Sequence, residues 1–172
     1  MWLNCVRIKI AQNTSVVLYH VTSADRLGSI ASEGLVPDMS SSIGGKSYDS
    51  HRIGRIFLSS PNGISFWFDK SQRFIENGYE DWQDLGMAPV ILRVHVDSGR
   101  LERDELGSQD SYSDSFFYNG VIPPENIELW DGQGWMPILD LGDIPIDEAF
   151  DEEGYILPQN KSPFGQPEIE SG

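Results

Sequence analysis

The stretch VVLYHVTSADRLGSIASEGLVP, residues 16–37, joins a strand to a helix at a histidine. Its first part is an apolar, β-branched run, which predicts a buried strand. Ser23 is a favourable N-cap, so a helix is expected to follow at once. Gly34 then ends that helix, as glycine commonly does after a last turn. His20 and Thr22 therefore lie at the seam between two elements.

Working outward, the chain continues with a strand, a helix and then several strands. Strands are expected at residues 6–10, 15–21, 55–60, 88–97, on either side of the Pro-Pro turn within 114–132, and at 135–141. The segment SFWFDKSQRFIENG, residues 65–78, predicts a second helix, and the Ser- and Gly-rich residues 38–54 predict a mobile loop. LERDELG, residues 101–107, is expected as a polar turn of helix or a loop. This order is not a regular βαβ alternation, so the predicted fold class is α+β.

The length of 172 residues suits one domain with an appended arm. We place the domain at residues 1–139 and an acidic arm at 140–172, with its last dozen residues disordered. No apolar run reaches the roughly 18 residues of a membrane span, and no secretory signal is visible at the N-terminus. Cys5 is the only cysteine. A cytoplasmic protein with no membrane association is expected.

The formal charge of −15, from 12 basic and 27 acidic residues, argues against a nucleic-acid-binding surface. Acidity of this kind commonly keeps a protein soluble, although a DNA-mimicking inhibitor is a further reading. A local basic group around Lys46, His51, Arg52 and Arg55 could still hold one anionic ligand.

Each of the following residues allows two interpretations, one structural and one ligand-binding. His20, with Thr22 beside it, is either a structural histidine or a contact to a ribose hydroxyl. Phe57 and the aromatic run 66–68 either fill the core or hold a flat heteroaromatic ring.

Other common sites lack support in the sequence. His20, His51 and His95 show no metal-ligand spacing, so no metal is expected. GxGxxG, GxxxxGK[ST] and GxSxG patterns are absent, which removes the usual dinucleotide, phosphate and nucleophile-elbow motifs.

Three blocks carry a resemblance to a known family. They are LYHVTS followed by IASEGLVP, then GRIFLSSPNGISFWF, then FFYNGVIPPENIELW, and they span about residues 16–130. In this order they resemble the ADP-ribosyltransferase-like superfamily, which includes RNA 2′-phosphotransferases and DNA- and RNA-modifying toxins. The resemblance implies an ADP-ribosyltransferase-like split β-sandwich with short flanking helices.

The resemblance also implies the site. His20 would contact the nicotinamide-proximal ribose of NAD, and Phe57 falls on an aromatic that is a tyrosine in many relatives. Many relatives carry a Glu where this chain has Ser115, so Asp114 is assigned the role of polarising the ribose. Glu125 and Glu128 are alternatives. The implied catalytic residues are His20, Asp114 and Phe57, and the implied cofactor contacts are His20, Val21, Thr22, Phe57, Ser59, Trp67, Phe68 and Arg55.

The expected activity is cleavage of the nicotinamide–ribose bond of NAD and transfer of ADP-ribose to a macromolecule, either protein or nucleic acid. One alternative is a non-catalytic binding or inhibitor module on the same scaffold, suggested by Ser115 and by the acidic surface. Another is an NAD-dependent RNA 2′-phosphotransferase.

Overall fold

A computed structural model of the chain describes residues 14–37, 42–43, 46–47, 54–76 and 89–143. These residues form an α+β fold with one antiparallel seven-stranded sheet and three α-helices. The predicted strand at 6–10, Cys5, His51, Arg52 and the arm beyond residue 143 lie outside the described residues. In the described part, no helix combines the length and the apolar character needed to cross a bilayer.

The strands and helices follow one another in a simple order. The strands are β1 Ser15–Ser23, β2 Ser42–Ile43, β3 Lys46–Ser47, β4 Ile56–Ser59, β5 Pro89–Asp97, β6 Leu101–Arg103, β7 Ser115–Tyr118, β8 Ile127–Trp130 and β9 Trp135–Pro137. The α-helices are α1 Leu27–Glu33, α2 Pro61–Glu76 and α3 Glu105–Ser111. Short 3₁₀ turns cover Ala24–Arg26, Ser98–Arg100, Pro124–Asn126 and Ile138–Asp143.

The large sheet consists of two halves that meet at a single residue pair. Its strand order is β6-β7-β4-β1-β5-β8-β9. β1 and β5 pair along their whole length, from Ser15↔Asp97 to Ser23↔Pro89, whereas β1 pairs with β4 only at Tyr19↔Ser59. We call the unpaired stretch between residues 20–23 of β1 and residues 56–58 of β4 the fork. The sheet is therefore divided between its two central strands.

Strand alternation sends side chains to two faces. On one face, Leu18, Leu58 and Leu92 join the main core, to which α1 contributes Leu27 and Ile30. On the other face, a smaller apolar cluster consists of Tyr19, Ile64 and Ile91, with Val21, Phe68, Trp130 and Trp135 packed against it. Ile64 and Phe68 belong to α2, so α2 covers the second face.

The seam between β1 and α1 largely follows the prediction. β1 runs to Ser23, but a 3₁₀ turn precedes the helix, and the Ser23 side chain makes no capping hydrogen bond. Gly34 ends α1 at φ +82°. Leu35 then forms an isolated bridge with Ile122, with N–H···O distances of 2.9 and 3.0 Å. The positive φ lets the chain turn from the helix onto this bridge.

Residues 101–107 form more structure than the expected turn or loop. They contain the edge strand β6 and the start of α3, whose N-cap Asp104 accepts a hydrogen bond from Gly107 N at 2.9 Å. At the other edge, β9 is only three residues long and ends at Pro137. The 3₁₀ turn that follows buries Ile138 and Leu141 in the main core.

Candidate functional site

His20 lies at the fork and bridges the two half-sheets. Its Nδ1 is 2.7 Å from the main-chain oxygen of Phe57 in β4. A carbonyl oxygen only accepts hydrogen bonds, so Nδ1 carries the proton and donates. No described residue makes a hydrogen bond with the other ring nitrogen, Nε2.

Burial lowers the pKa of His20 below its usual value. The hydrogen bond to Phe57 opposes this shift, and the positive charge of Arg26 adds to it. The imidazole is therefore neutral near pH 7, with Nδ1 protonated. Nε2 then presents a lone pair, which can accept a hydrogen bond from a ligand hydroxyl.

The lowered pKa of His20 predicts how stability changes with pH. Between its lowered folded pKa and about 6.5, the unfolded chain binds more protons than the folded chain. Stability is therefore complete above about pH 6.5 and falls on acidification, by at most about 1.4 kcal/mol per pH unit for one group. Urea unfolding at pH 7.5 and pH 5.5 measures this loss.

His20→Asn should reduce the loss between these two pH values, because asparagine does not titrate. Glu128 does not confuse the comparison, since its pKa lies below 4.5 and its contribution disappears only at lower pH. An unchanged pH dependence in His20→Asn would show that His20 is not the responsible group.

The neighbours of His20 in β1 point in two directions. Thr22 lies on the same face as His20 and is 9% exposed. Val21 alternates to the other face and packs against the smaller apolar cluster. Of the predicted site residues in β1, Thr22 therefore lies on the same side of the fork as the His20 imidazole.

The Phe57 ring and the Ser59 side chain lie on the face opposite the His20 side chain. The pairs Tyr19↔Ser59 and Phe57↔Phe117 fix this arrangement, and the Phe57 and Phe117 rings meet edge to face at 5.0 Å. The structure thus joins His20 to Phe57 through a main-chain carbonyl and not through the ring.

The Ser59 hydroxyl is buried without a hydrogen-bond partner among the described residues. It sits against the Cα of Gly63 in α2, where an added Cβ would collide with it. Ser59 is 3% exposed, so its side chain is packed against α2 on the face opposite the His20 imidazole.

Arg55, Trp67 and Phe68 also lie away from His20. Arg55 forms an ion pair with Glu102 at 3.1 Å, and its guanidinium lies 5.0 Å from the centre of the Phe117 ring. Phe68 packs in the smaller cluster beneath α2. Trp67 is half-buried and meets Phe66 edge to face at 5.0 Å. The structure does not bring these three side chains to the imidazole, and their roles toward NAD stay predictions.

The position of the expected acid is closed. Ser115 is 3% exposed, and its hydroxyl lies 3.4 Å from that of Ser111. Asp114 is exposed and pairs with Arg103 at 3.2 Å. Phe117 pairs with Phe57, and Asp114 comes three residues before Phe117. Three residues of extended chain span about 10 Å. Asp114 therefore lies beyond the Ser59 end of β4 and on its β7 side, whereas His20 lies on its β1 side.

The alternative acids are also distant from the fork. Glu125 is exposed in the Pro124–Asn126 turn. Glu128 accepts two hydrogen bonds from Arg93, both at 2.6 Å, and its Oε2 is 2.9 Å from His95 Nε2. The hydrogen bonds from Arg93 hold the pKa of Glu128 below its usual range.

The cluster around Glu128 was not foreseen from the sequence. The Arg93 guanidinium lies 4.6 Å from the centre of the Trp135 ring, which also contacts Tyr19 and Trp130. The alternation of Arg93 and His95 in β5 indicates that they share a face. The register that brings Glu128 beside them is not readable from local patterns.

Comparisons with known proteins give no further information about the site. No family model matches the chain, and a search of curated proteins gives no match. Within the described ranges, no three His, Cys, Asp or Glu side chains are grouped so that they could hold a metal ion.

Proposed function

We propose that the protein is an NAD-dependent ADP-ribosyltransferase with an ADP-ribosyltransferase-like split β-sandwich, and that NAD binds at the fork. One observation carries the proposal: the sheet divides between β1 and β4, and His20 stands at that division with Nε2 available as an acceptor. The three blocks of the resemblance lie on β1, on β4 with α2, and on β7 with β8, and β7, β4 and β1 are neighbours.

In this proposal, His20 anchors the ribose next to nicotinamide. Its neutral Nε2 accepts a hydrogen bond from a ribose hydroxyl, and the Thr22 hydroxyl lies on the same side. The nicotinamide–ribose bond breaks with its electron pair going to nicotinamide. A nucleophile of the acceptor macromolecule then bonds to the ribose carbon and loses its proton. This proposal gives Asp114, which pairs with Arg103 on the β7 side of β4, no role toward the ribose.

A second candidate is a module that binds NAD or a related nucleotide without cleaving it. The closed position of Ser115 and the pairing of Asp114 with Arg103 on the β7 side of β4 favour it, because positive charge developing on the ribose is commonly stabilised by a nearby carboxylate. The two candidates share the ligand and differ in whether nicotinamide is released.

The test measures NAD binding and nicotinamide release for the wild type, His20→Asn and Asp114→Asn. An asparagine amide can replace Nδ1–H as donor to the Phe57 carbonyl, but it does not reach the position of Nε2. His20→Asn should lose about tenfold in affinity or turnover, as expected for one ligand hydrogen bond. Asp114→Asn is the matched control and should change neither quantity by more than about twofold.

Each outcome separates the candidates. NAD binding with nicotinamide release supports the transferase, and binding without release supports the module. Absence of NAD binding contradicts both. Equal behaviour of His20→Asn and the wild type removes His20 from the ligand site.

A further inference from the structure

Lys70 of α2 lies over two aromatic rings on the flank of the helix near α3. Its Nζ is 4.9 Å from the centre of the Trp67 ring and 5.5 Å from that of Phe66. These rings meet at 84°, so they form two walls of a corner. The Asp110 carboxylate of α3 is 3.7 Å from the same Nζ. Two ring faces and one carboxylate thus surround an ammonium group.

This combination is chemically specific for cations. The face of an aromatic ring carries negative charge density and attracts ammonium and guanidinium groups, most strongly on tryptophan. A nearby carboxylate adds a direct charge interaction. We propose that Phe66, Trp67 and Asp110, here called the aromatic cage, bind a lysine or arginine side chain of a basic protein partner, and that Lys70 occupies the cage in the free protein.

Lys70 is a weakly held occupant. Its side chain is 37% exposed and that of Asp110 is 57% exposed, so solvent screens the pair. Lysine also has a flexible stem and can leave a surface site at little cost. Displacement of Lys70 therefore leaves two ring faces and a carboxylate available to an incoming cation.

The negative net charge of the chain favours a basic partner. A formal charge of −15 attracts basic proteins over long distances and repels acidic surfaces. Ile64 and Phe68 are the α2 residues in the smaller apolar cluster, and Trp67 remains half-buried beside Lys70. A partly exposed tryptophan with a neighbouring carboxylate is a suitable anchor for an arginine or lysine at a protein interface. This inference does not depend on NAD chemistry at the fork.

The first experiment uses tetramethylammonium as the probe and the full chain as the protein. Lys70→Ala empties the cage at a partly exposed position, so the fold should be retained. We expect saturable shifts of the Trp67 indole N–H resonance, assigned with Trp67→Phe, and of neighbouring amides in α2 and α3. The wild type should bind about two- to fivefold more weakly, since Lys70 competes.

Matched controls isolate the cation. tert-Butanol, a neutral molecule of similar shape, should cause no saturable shift, and the indoles of Trp130 and Trp135 should not respond to tetramethylammonium. Asp110→Asn in the Lys70→Ala background should weaken binding about twofold or more. Equal responses to both probes, or no saturation in Lys70→Ala, would overturn the proposal.

The second experiment tests the class of partner. In a titration of Lys70→Ala, a tetralysine amide should shift the resonances of the cage at lower peptide concentration than those of other acidic surfaces. The same peptide with acetylated side chains keeps its length but loses its side-chain charges, and should not shift them. If tetralysine perturbs all acidic surfaces equally, without preference for the cage, its interaction is only general electrostatic attraction and the proposal fails.

Discussion

Gly34→Ala is expected to lower the free energy of unfolding by about 3 kcal/mol or more. The backbone of Gly34 has φ +82° and ψ −171°, a region that is essentially restricted to glycine and costs other residues about 1–3 kcal/mol. An added Cβ would also collide with the main-chain oxygen of Ile122. Relief of that collision separates the Leu35–Ile122 bridge, whose two hydrogen bonds contribute about 1 kcal/mol each.

Gly28 in α1 provides the matched control for this substitution. Nothing lies within 4 Å of a Cβ added there, and the residue is exposed in the helix. Gly28→Ala should raise stability by about 0.5–1 kcal/mol, because alanine favours the helix over glycine. Urea unfolding of both variants measures the difference. A loss below about 1 kcal/mol in Gly34→Ala contradicts the described path of the chain.

Ser115→Glu is expected to lower the free energy of unfolding by about 3 kcal/mol or more. The Ser115 side chain is 3% exposed and lies close to Gly107, whose added Cβ would be 3.2 Å from that of Ser115. A glutamate there must bury a carboxylate without a cation, or displace α3. A carboxylate is therefore not restored at this position by a simple substitution.

Asp114→Glu is the matched control for Ser115→Glu. It adds one methylene at an exposed carboxylate on the neighbouring residue. Its stability should stay within about 0.5 kcal/mol of the wild type. If Ser115→Glu proves equally harmless, α3 does not close this position, and a catalytic carboxylate near β7 becomes structurally admissible.

The local elements were largely predictable from the sequence. The apolar run before His20 forms β1, and the glycine at position 34 ends α1. These features depend on neighbouring residues, so local propensity is sufficient to identify them. The α+β class also follows from the order of the elements.

Which site residues lie together was harder to predict from the sequence. Whether His20 and Phe57 present their side chains to one face depends on the register between β1 and β4, which are far apart in the sequence. A shift of one residue in that register would exchange the faces. The edge strand β6 was missed because Glu102 and Arg103 are polar and exposed, as edge positions commonly are.

Among the residues that the structure describes, β6 and β9 are the outermost strands of the large sheet, and both are poor edges for pairing with another chain. β6 and β9 are three residues long, and in β9 the last residue, Pro137, has no N–H to offer. β6 carries two charged side chains of opposite sign. Within the described part of the sheet, a foreign strand would find little main chain to pair with at either margin, which disfavours edge-to-edge pairing there.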